Sequence, residues 1–216
     1  MSVAIPKEHE CDHILIVEGY SDLHFYASMM HQMKRLKGVF IKEFKGKSPI
    51  LNRQTLGDYL EPRLDKKKSI GILLDADDNP AGTATAVRER LREITGRLVT
   101  EGSWHEKEGE ARLGFFVAPT PDQKGEIETL AWNAFPDEGI HLSMKQAVDE
   151  FHARMTELNS EWKSHSPDKG RIGAYLAAAY DEDPRLGPGA REKKFDFAAP
   201  GFARLRAFLE ILPQSA

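Results

Sequence analysis

Four carboxylates are spaced so that they could share one site. Glu18 and Asp22 lie four residues apart in Glu18-Gly19-Tyr20-Ser21-Asp22, and Asp75 and Asp77 lie two apart in Asp75-Ala76-Asp77-Asp78. Each pair directly follows an apolar run, Ile14-Leu15-Ile16-Val17 for the first and Ile70-Gly71-Ile72-Leu73-Leu74 for the second. Carboxylates crowded together without a cation have raised pKa values and weaken the fold. A hard divalent cation removes that conflict, and magnesium suits the set because it takes oxygen ligands and needs only one or two carboxylates besides water and substrate phosphate. Two such ions could serve in-line attack on a phosphodiester, one activating water and the other stabilising the leaving oxygen. The plainer alternative is structural. Acids at strand ends also form turns and cap helices, and Asp77-Asp78-Asn79-Pro80 is good turn chemistry by itself.

The apolar runs are the elements that must carry these acids. Four apolar residues, three of them β-branched, precede Glu18, and the run before Asp75 is similar, so both read as buried strands delivering an acid to their C-terminal edges. If extended geometry persists past Leu74, Asp75 and Asp77 share a face with Ala76 turned away. Asp22 falls on the first turn of a helix over 22–35, directed back toward the same edge, with Leu23, Tyr26, Ala27, Met30 and Met33 on its apolar stripe.

A second strand is expected over 39–44, then a turn at Gly46-Lys47-Ser48-Pro49 into a helix carrying Leu51, Leu56, Tyr59, Leu60 and Leu64. Asn79-Pro80 opens a helix with Ala84, Val87, Leu91 and Ile94 on one face; 102–109 reads as an exposed excursion, and 113–119 as a fourth strand. Strands alternating with helices predict an α/β fold, a mainly parallel sheet of about four strands flanked by helices. Ligands of such sheets collect outside the carboxyl ends of the strands, where strand order reverses. Past Pro121 the chain turns helical, with a helix over 127–135 and a capping-box pattern at Ser143-Met144-Lys145-Gln146. That pattern opens a helix striped by Met144, Val148, Phe151, Met155, Leu158 and Trp162. Ser166-Pro167 starts a third helix, 184–189 reads as a loop, and Phe202, Leu205, Phe208 and Leu209 belong to a last helix. The expected organisation is an α/β domain over 1–135 with a helical C-terminal layer over 136–216 packed on it.

Bulk properties narrow the function classes. The chain has 216 residues, 40% of them hydrophobic and 30% charged, and a mean hydropathy of -0.50, which describes a globular rather than a disordered or membrane-embedded protein. No window approaches the ~20 apolar residues of a membrane span, and the polar, acidic N-terminus lacks the layout of a secretory signal, so the expected compartment is the cytoplasm. One cysteine, Cys11, excludes an internal disulfide and a thiolate-built zinc site. A net charge of -4 and a pI near 6.1 give no global attraction for polyanions, which does not weigh against an enzyme that meets phosphates through a metal.

Val17-Glu18-Gly19-Tyr20-Ser21-Asp22 followed by Leu74-Asp75-Ala76-Asp77 resembles the TOPRIM domain of type IA and type II topoisomerases, bacterial-type primases and the overcoming-lysogenization-defect (OLD) nucleases. The resemblance covers most of the first 135 residues. It implies a compact parallel sheet with Glu18 as acid/base or metal ligand and the Asp75 and Asp77 pair holding magnesium; with Asp22 from the acid spacing, these residues are expected around one or two magnesium or manganese ions. Gly125-Glu126-Ile127-Glu128-Thr129-Leu130 is similar to a segment of small stand-alone TOPRIM-like proteins, with Glu128 the better match for a further metal ligand and Glu126 the second choice. In the nucleases of this group a lysine near the metals assists catalysis, and Lys169 is the candidate here. Topoisomerases need a tyrosine-bearing domain and primases a zinc ribbon, neither of which fits in this sequence, whereas a nuclease needs only activated water. Nucleic acid, DNA or RNA, is then the expected partner, with nucleotide-driven control from a partner ATPase. A small nucleotide or oligonucleotide substrate is an intermediate possibility. The competing expectation is a non-catalytic TOPRIM-like module that binds nucleic acid or a partner protein, for which Lys169 capping the acids as a salt bridge would be the sign.

Other signals are read as structural. Gly46-Lys47-Ser48 ends like a phosphate-binding loop but lacks the earlier glycine, position 41 being Ile, so a turn and helix start is expected. The histidines show no ligand spacing. Lys66-Lys67-Lys68 reads as a solvated turn, and Arg191, Lys193, Lys194, Arg204 and Arg206 as a loose basic set.

Overall fold

The computed structural model describes residues 6–159, 167–179 and 183–212. Its centre is a sheet of five strands: β1 (His13–Val17), β2 (Val39–Glu43), β3 (Ser69–Asp75), β4 (Trp104–Lys107) and β5 (Glu110–Ala118), in the order β2-β1-β3-β5-β4. β1, β2, β3 and β5 are mutually parallel and β4 runs antiparallel to β5. The expected α/β fold with a mainly parallel sheet is what the chain forms, with one strand more than expected. β4 lies in the stretch read as an exposed excursion. His105-Glu106-Lys107 offers no apolar run, and the strand exists because edge pairing with β5 satisfies its backbone.

The continuous apolar runs have a direct cause, because both sheet faces are covered. Leu15, Val17, Leu73 and Phe116 face one core, built with Phe25, Tyr26, Met29 and Met30 of α1 (Tyr20–Gln32) and with residues from 127 to 212. Ile14, Ile16, Ile70, Ile72, Leu74 and Phe115 face the other, under α2 (Lys47–Leu51), α3 (Arg53–Leu60) and α4 (Pro80–Thr95). The single helix expected after β2 is two, because Asn52 interrupts it and caps α3, its Oδ1 accepting from the Thr55 N–H at 2.9 Å. Asn79 caps α4 in the same way through the Gly82 N–H at 2.9 Å, and Gly96 ends that helix at φ +70°.

The helical end of the chain comprises α5 (Ile127–Ala134), α6 (Gly139–Leu158), α7 (Pro167–Ala179), α8 (Leu186–Arg191) and α9 (Ala203–Leu209). Three expectations are corrected here. α6 starts at Gly139, ahead of the Ser143 pattern, so Ser143 lies inside the helix. The segment read as a loop over 184–189 is largely α8, whose Gly187 and Gly189 pack tightly on neighbouring elements. Two members of the loose basic set are structural: Arg204 pairs with Glu101, and Arg206 donates to the carbonyls of Phe197 and Ala199 at 2.7 Å. Trp162 and Ser166 lie outside the described residues.

Trp104 fixes the far edge of the sheet. Its indole lies over Gly71 and Gly114, register partners on β3 and β5, where added Cβ atoms would come within 2.9 Å and 2.7 Å of the ring. The ring stacks on Phe208 with centroids 4.8 Å apart, and its N–H donates to the Phe208 carbonyl at 2.9 Å. Gly114→Ala is expected to displace this ring and destabilise the protein by about 1–3 kcal/mol, read as a lower denaturation midpoint with altered tryptophan emission. An unchanged midpoint would show that the slot is loose.

Candidate active-site cleft

The chain leaves β1 for β2 on one side and later returns to place β3 on the other, so strand order reverses between β1 and β3. Glu18 follows β1 directly and Asp75 closes β3, which brings them together at that reversal. The Asp75 N–H donates to Glu18 Oε1 at 2.9 Å, the Ile127 N–H at the start of α5 donates to Asp75 Oδ1 at 2.8 Å, and the Gly19 N–H donates to Asp22 Oδ2 at 2.9 Å. Each of these acids is therefore oriented through one oxygen and keeps a second for the cleft.

Glu18, Asp22, Asp75, Glu128 and Lys169 line a single cleft of about 490 Å³. Its electrostatics follow from burial and crowding. Burial pushes the Glu18 carboxyl up to about 7, with Asp22 and Asp77 adding to the rise against the Asp75 N–H and Lys47. Burial likewise takes Glu128 to about 7, opposed chiefly by Lys169. Asp22 is raised by burial, with Glu126 and Glu43 adding to it. Asp75 is pushed well above the usual carboxylate range by burial, then by Asp22, Glu18, Glu128 and Glu126, which makes it the centre of the acidic group.

Asp77 does not join that centre in the expected way. Extended geometry stops at Asp75, and Asp77 sits at φ +52°, a left-handed conformation that aspartate tolerates better than most residues. It exchanges backbone hydrogen bonds with Gly125, both 2.8 Å, and its carboxylate is held by Lys47 Nζ at 2.5 Å. Asp75 and Asp77 consequently do not share a strand face, and Asp77 lines a second cavity of about 450 Å³ with Glu126. Lys169 Nζ lies 2.9 Å from Glu126 and 3.8 Å from Glu128.

Among the described residues no three His, Cys, Asp or Glu side chains close into a ready metal cage. The donor set still selects among metals. Carboxylate oxygens without thiolate or imidazole suit magnesium or manganese, and magnesium requires only one or two of them. Glu18 and Asp75, tied to each other and in no ion pair among the described residues, meet that requirement.

Sequence reasoning missed Lys47 and Arg185. Lys47 sits in the Gly46-Lys47-Ser48 turn, whose sequence reads only as a turn and helix start, yet it reaches Asp77 and acts on Glu18. Arg185 enters the cleft wall because α8 docks on α1, with the Gly187 N–H donating to Ser21 Oγ at 3.2 Å. A Cβ at Gly187 would lie 2.8 Å from the Ser21 carbonyl oxygen. Gly187→Val is expected to lift α8 from α1 and cost about 1–3 kcal/mol, checked by chemical denaturation together with protease sensitivity near residue 187; wild-type behaviour in both would contradict this docking.

A family described as "Protein of unknown function (DUF3226)" matches residues 12–214. The chain belongs to that family. No curated protein matches this DUF3226 chain by sequence. Among solved structures, the C-terminal region of the Xanthomonas campestris pv. campestris OLD protein phased with mercury aligns with a TM-score of 0.50 at 14% identity, covering 94% of both chains. The same region phased with platinum gives 0.38 at 15% identity, covering 93% of this chain and 96% of that one. The first likeness is one of fold: the DUF3226 chain shares the α/β architecture of an OLD C-terminal region. No described helix is long and apolar enough to cross a membrane.

Proposed function

We propose that this chain is a TOPRIM-like phosphodiesterase that hydrolyses DNA or RNA with magnesium or manganese, under control of a partner ATPase. The observation that carries the reading is the convergence of Glu18, Asp22, Asp75 and Glu128 on one cleft at the strand-order reversal. Glu18 and Asp75 would hold the metal, with Asp22 and Glu128 lining the same cleft and acting on Asp75 through space. The bound metal supplies charge neutralisation at the phosphoryl oxygens and a water of lowered pKa. Glu18, partly buried with one oxygen taken by the Asp75 N–H, is the candidate acid/base or metal ligand beside that water. Lys169, 61% exposed at the side chain and on the cleft wall, turns its ammonium to a phosphate oxygen when substrate displaces it from Glu126.

A second reading has its own observation. Lys169 does cap Glu126 and Glu128 as salt bridges, the sign of a non-catalytic binding module. No ion pair among the described residues includes Glu18, Asp22 or Asp75, although Lys169 acts through space on Asp22 and Asp75 and Lys47 on Glu18. Three crowded, partly buried carboxylates in no ion pair among the described residues favour the metal-dependent reading. Incubation with plasmid, single-stranded DNA and RNA in magnesium or manganese separates the two. Cleavage is expected in wild type and a loss of at least about a hundredfold in Glu18→Gln; no cleavage of any substrate supports the binding module, and cleavage unaltered by the substitution removes the mechanism.

A further inference from the structure

We propose that Tyr20 and Arg185 form a base-and-phosphate clamp at the mouth of the acid cleft, which makes its substrate a single nucleic-acid strand. This rests on the phosphodiesterase reading and adds the form of the nucleic acid.

Tyr20 is the first residue of α1 and 61% exposed, although its neighbours in the same helix form the core. Its ring is braced by His24, with centroids 4.4 Å apart and planes at 76°, so it is held in place while most of it stays in solvent. Arg185 faces the same cleft with its side chain 70% exposed, its guanidinium held by the Asp183 carboxylate with Nε at 2.9 and 3.0 Å from the two oxygens. A fixed, exposed aromatic ring beside a fixed guanidinium is a stacking platform for a base with a contact for its phosphate, and stacking is tolerant of sequence because every base has a π-face.

The depth of the site selects the strand form. Glu128 is 5% exposed, and the cleft, at about 490 Å³, has the size of a small-molecule pocket. Tyr20 and Arg185 are exposed members of the cleft wall that Asp75 and Glu128 also line. Within a duplex the backbone is held on the outside of a stiff stack, so drawing one phosphate inward means unstacking its neighbours. A single strand makes the same excursion freely. The net charge is -4, and Arg204 and Arg206 are engaged within the fold. Affinity then comes from stacking and one or two phosphate contacts, so its salt dependence is shallow.

The test is fluorescence anisotropy of the full chain with oligo-dT, oligo-U and a matched hairpin duplex in calcium, for wild type, Tyr20→Ala and Tyr20→Phe, with melting temperatures as the check on folding. Expected are at least about tenfold tighter binding of a single strand than of the hairpin, about a tenfold loss in Tyr20→Ala, and near-wild-type binding in Tyr20→Phe. The oligo-dT and oligo-U arms tell DNA from RNA, and a preference for either over the hairpin supports the clamp. Equal binding of strand and hairpin, or a folded Tyr20→Ala protein that binds like wild type, overturns it. Manganese-dependent hydrolysis of bis(p-nitrophenyl) phosphate by wild type and Glu18→Gln reports separately on the metal reading. Hydrolysis lost in Glu18→Gln, with strand and hairpin bound alike, retains the phosphodiesterase and removes the clamp; a Tyr20-dependent strand preference without hydrolysis does the reverse.

Discussion

Asp75→Asn is expected to raise the melting temperature of the metal-free protein at pH 8 while removing metal-dependent cleavage. Asparagine keeps the shape and the oxygen that accepts the Ile127 N–H, so the start of α5 stays anchored. What it removes is a carboxyl whose charged form is disfavoured by burial and then by Asp22, Glu18, Glu128 and Glu126. In the absence of a cation that charge destabilises the native state, and relief of about 2 kcal/mol would raise the melting temperature of a chain this size by about 4–8 °C. The same change takes away the proposed metal ligand, so cleavage is expected to fall at least about a hundredfold. A scanning-calorimetry trace and a cleavage assay on one preparation check both halves. A variant that is less stable and fully active would contradict the account on both counts.

The second large effect concerns pH. Glu18 and Glu128 have ordinary values of 4.5 and folded values of about 7. Below about pH 4.5 both states are protonated and neither group matters. Between 4.5 and 7 the folded state holds protons that the unfolded state has lost, so stability declines as pH rises, and above 7 the full cost is present. That cost is on the order of 3 kcal/mol for each group. The melting temperature in chelator is therefore expected to fall from pH 5 to pH 8, and magnesium at pH 8 to restore it. His13 and His24, whose pKa values burial lowers, act with the opposite sign as pH drops below 6.5. Comparison with the Glu18→Gln/Glu128→Gln double variant isolates the carboxylates, since both histidines remain. A metal-free melting temperature with the same pH profile in wild type and double variant would rule out the raised carboxyl values of Glu18 and Glu128.

The parts of this structure legible in the sequence are those with local causes. Four β-branched or leucine positions before Glu18 and a similar run before Asp75 specify strands buried on both faces, and Asn79-Pro80 specifies a helix start, because each signal is complete within a few residues. β4 and α8 were not legible. His105-Glu106-Lys107 has no strand pattern and Leu186-Gly187-Pro188-Gly189 no helix pattern, and both take their conformation from what they pack or pair against. In the cleft, Glu18 and Asp75 could be placed from their strands. Glu128, in contrast, entered through resemblance, since nothing local says that α5 starts over Asp75. Lys47 reaches Asp77 across 30 residues of sequence, and Asp77 turned left-handed at a position where continued strand geometry was the simplest assumption.

The claim on which the rest depends is that the acid cleft takes up a divalent cation, and titration calorimetry with manganese at pH 7.5 tests it most directly. Saturable binding of one or two ions to the wild-type chain is expected, accompanied by release of the protons that Glu18 and Glu128 retain near neutrality, and abolished in Asp75→Asn. No binding to the wild type, or binding that Asp75→Asn leaves intact, would contradict it.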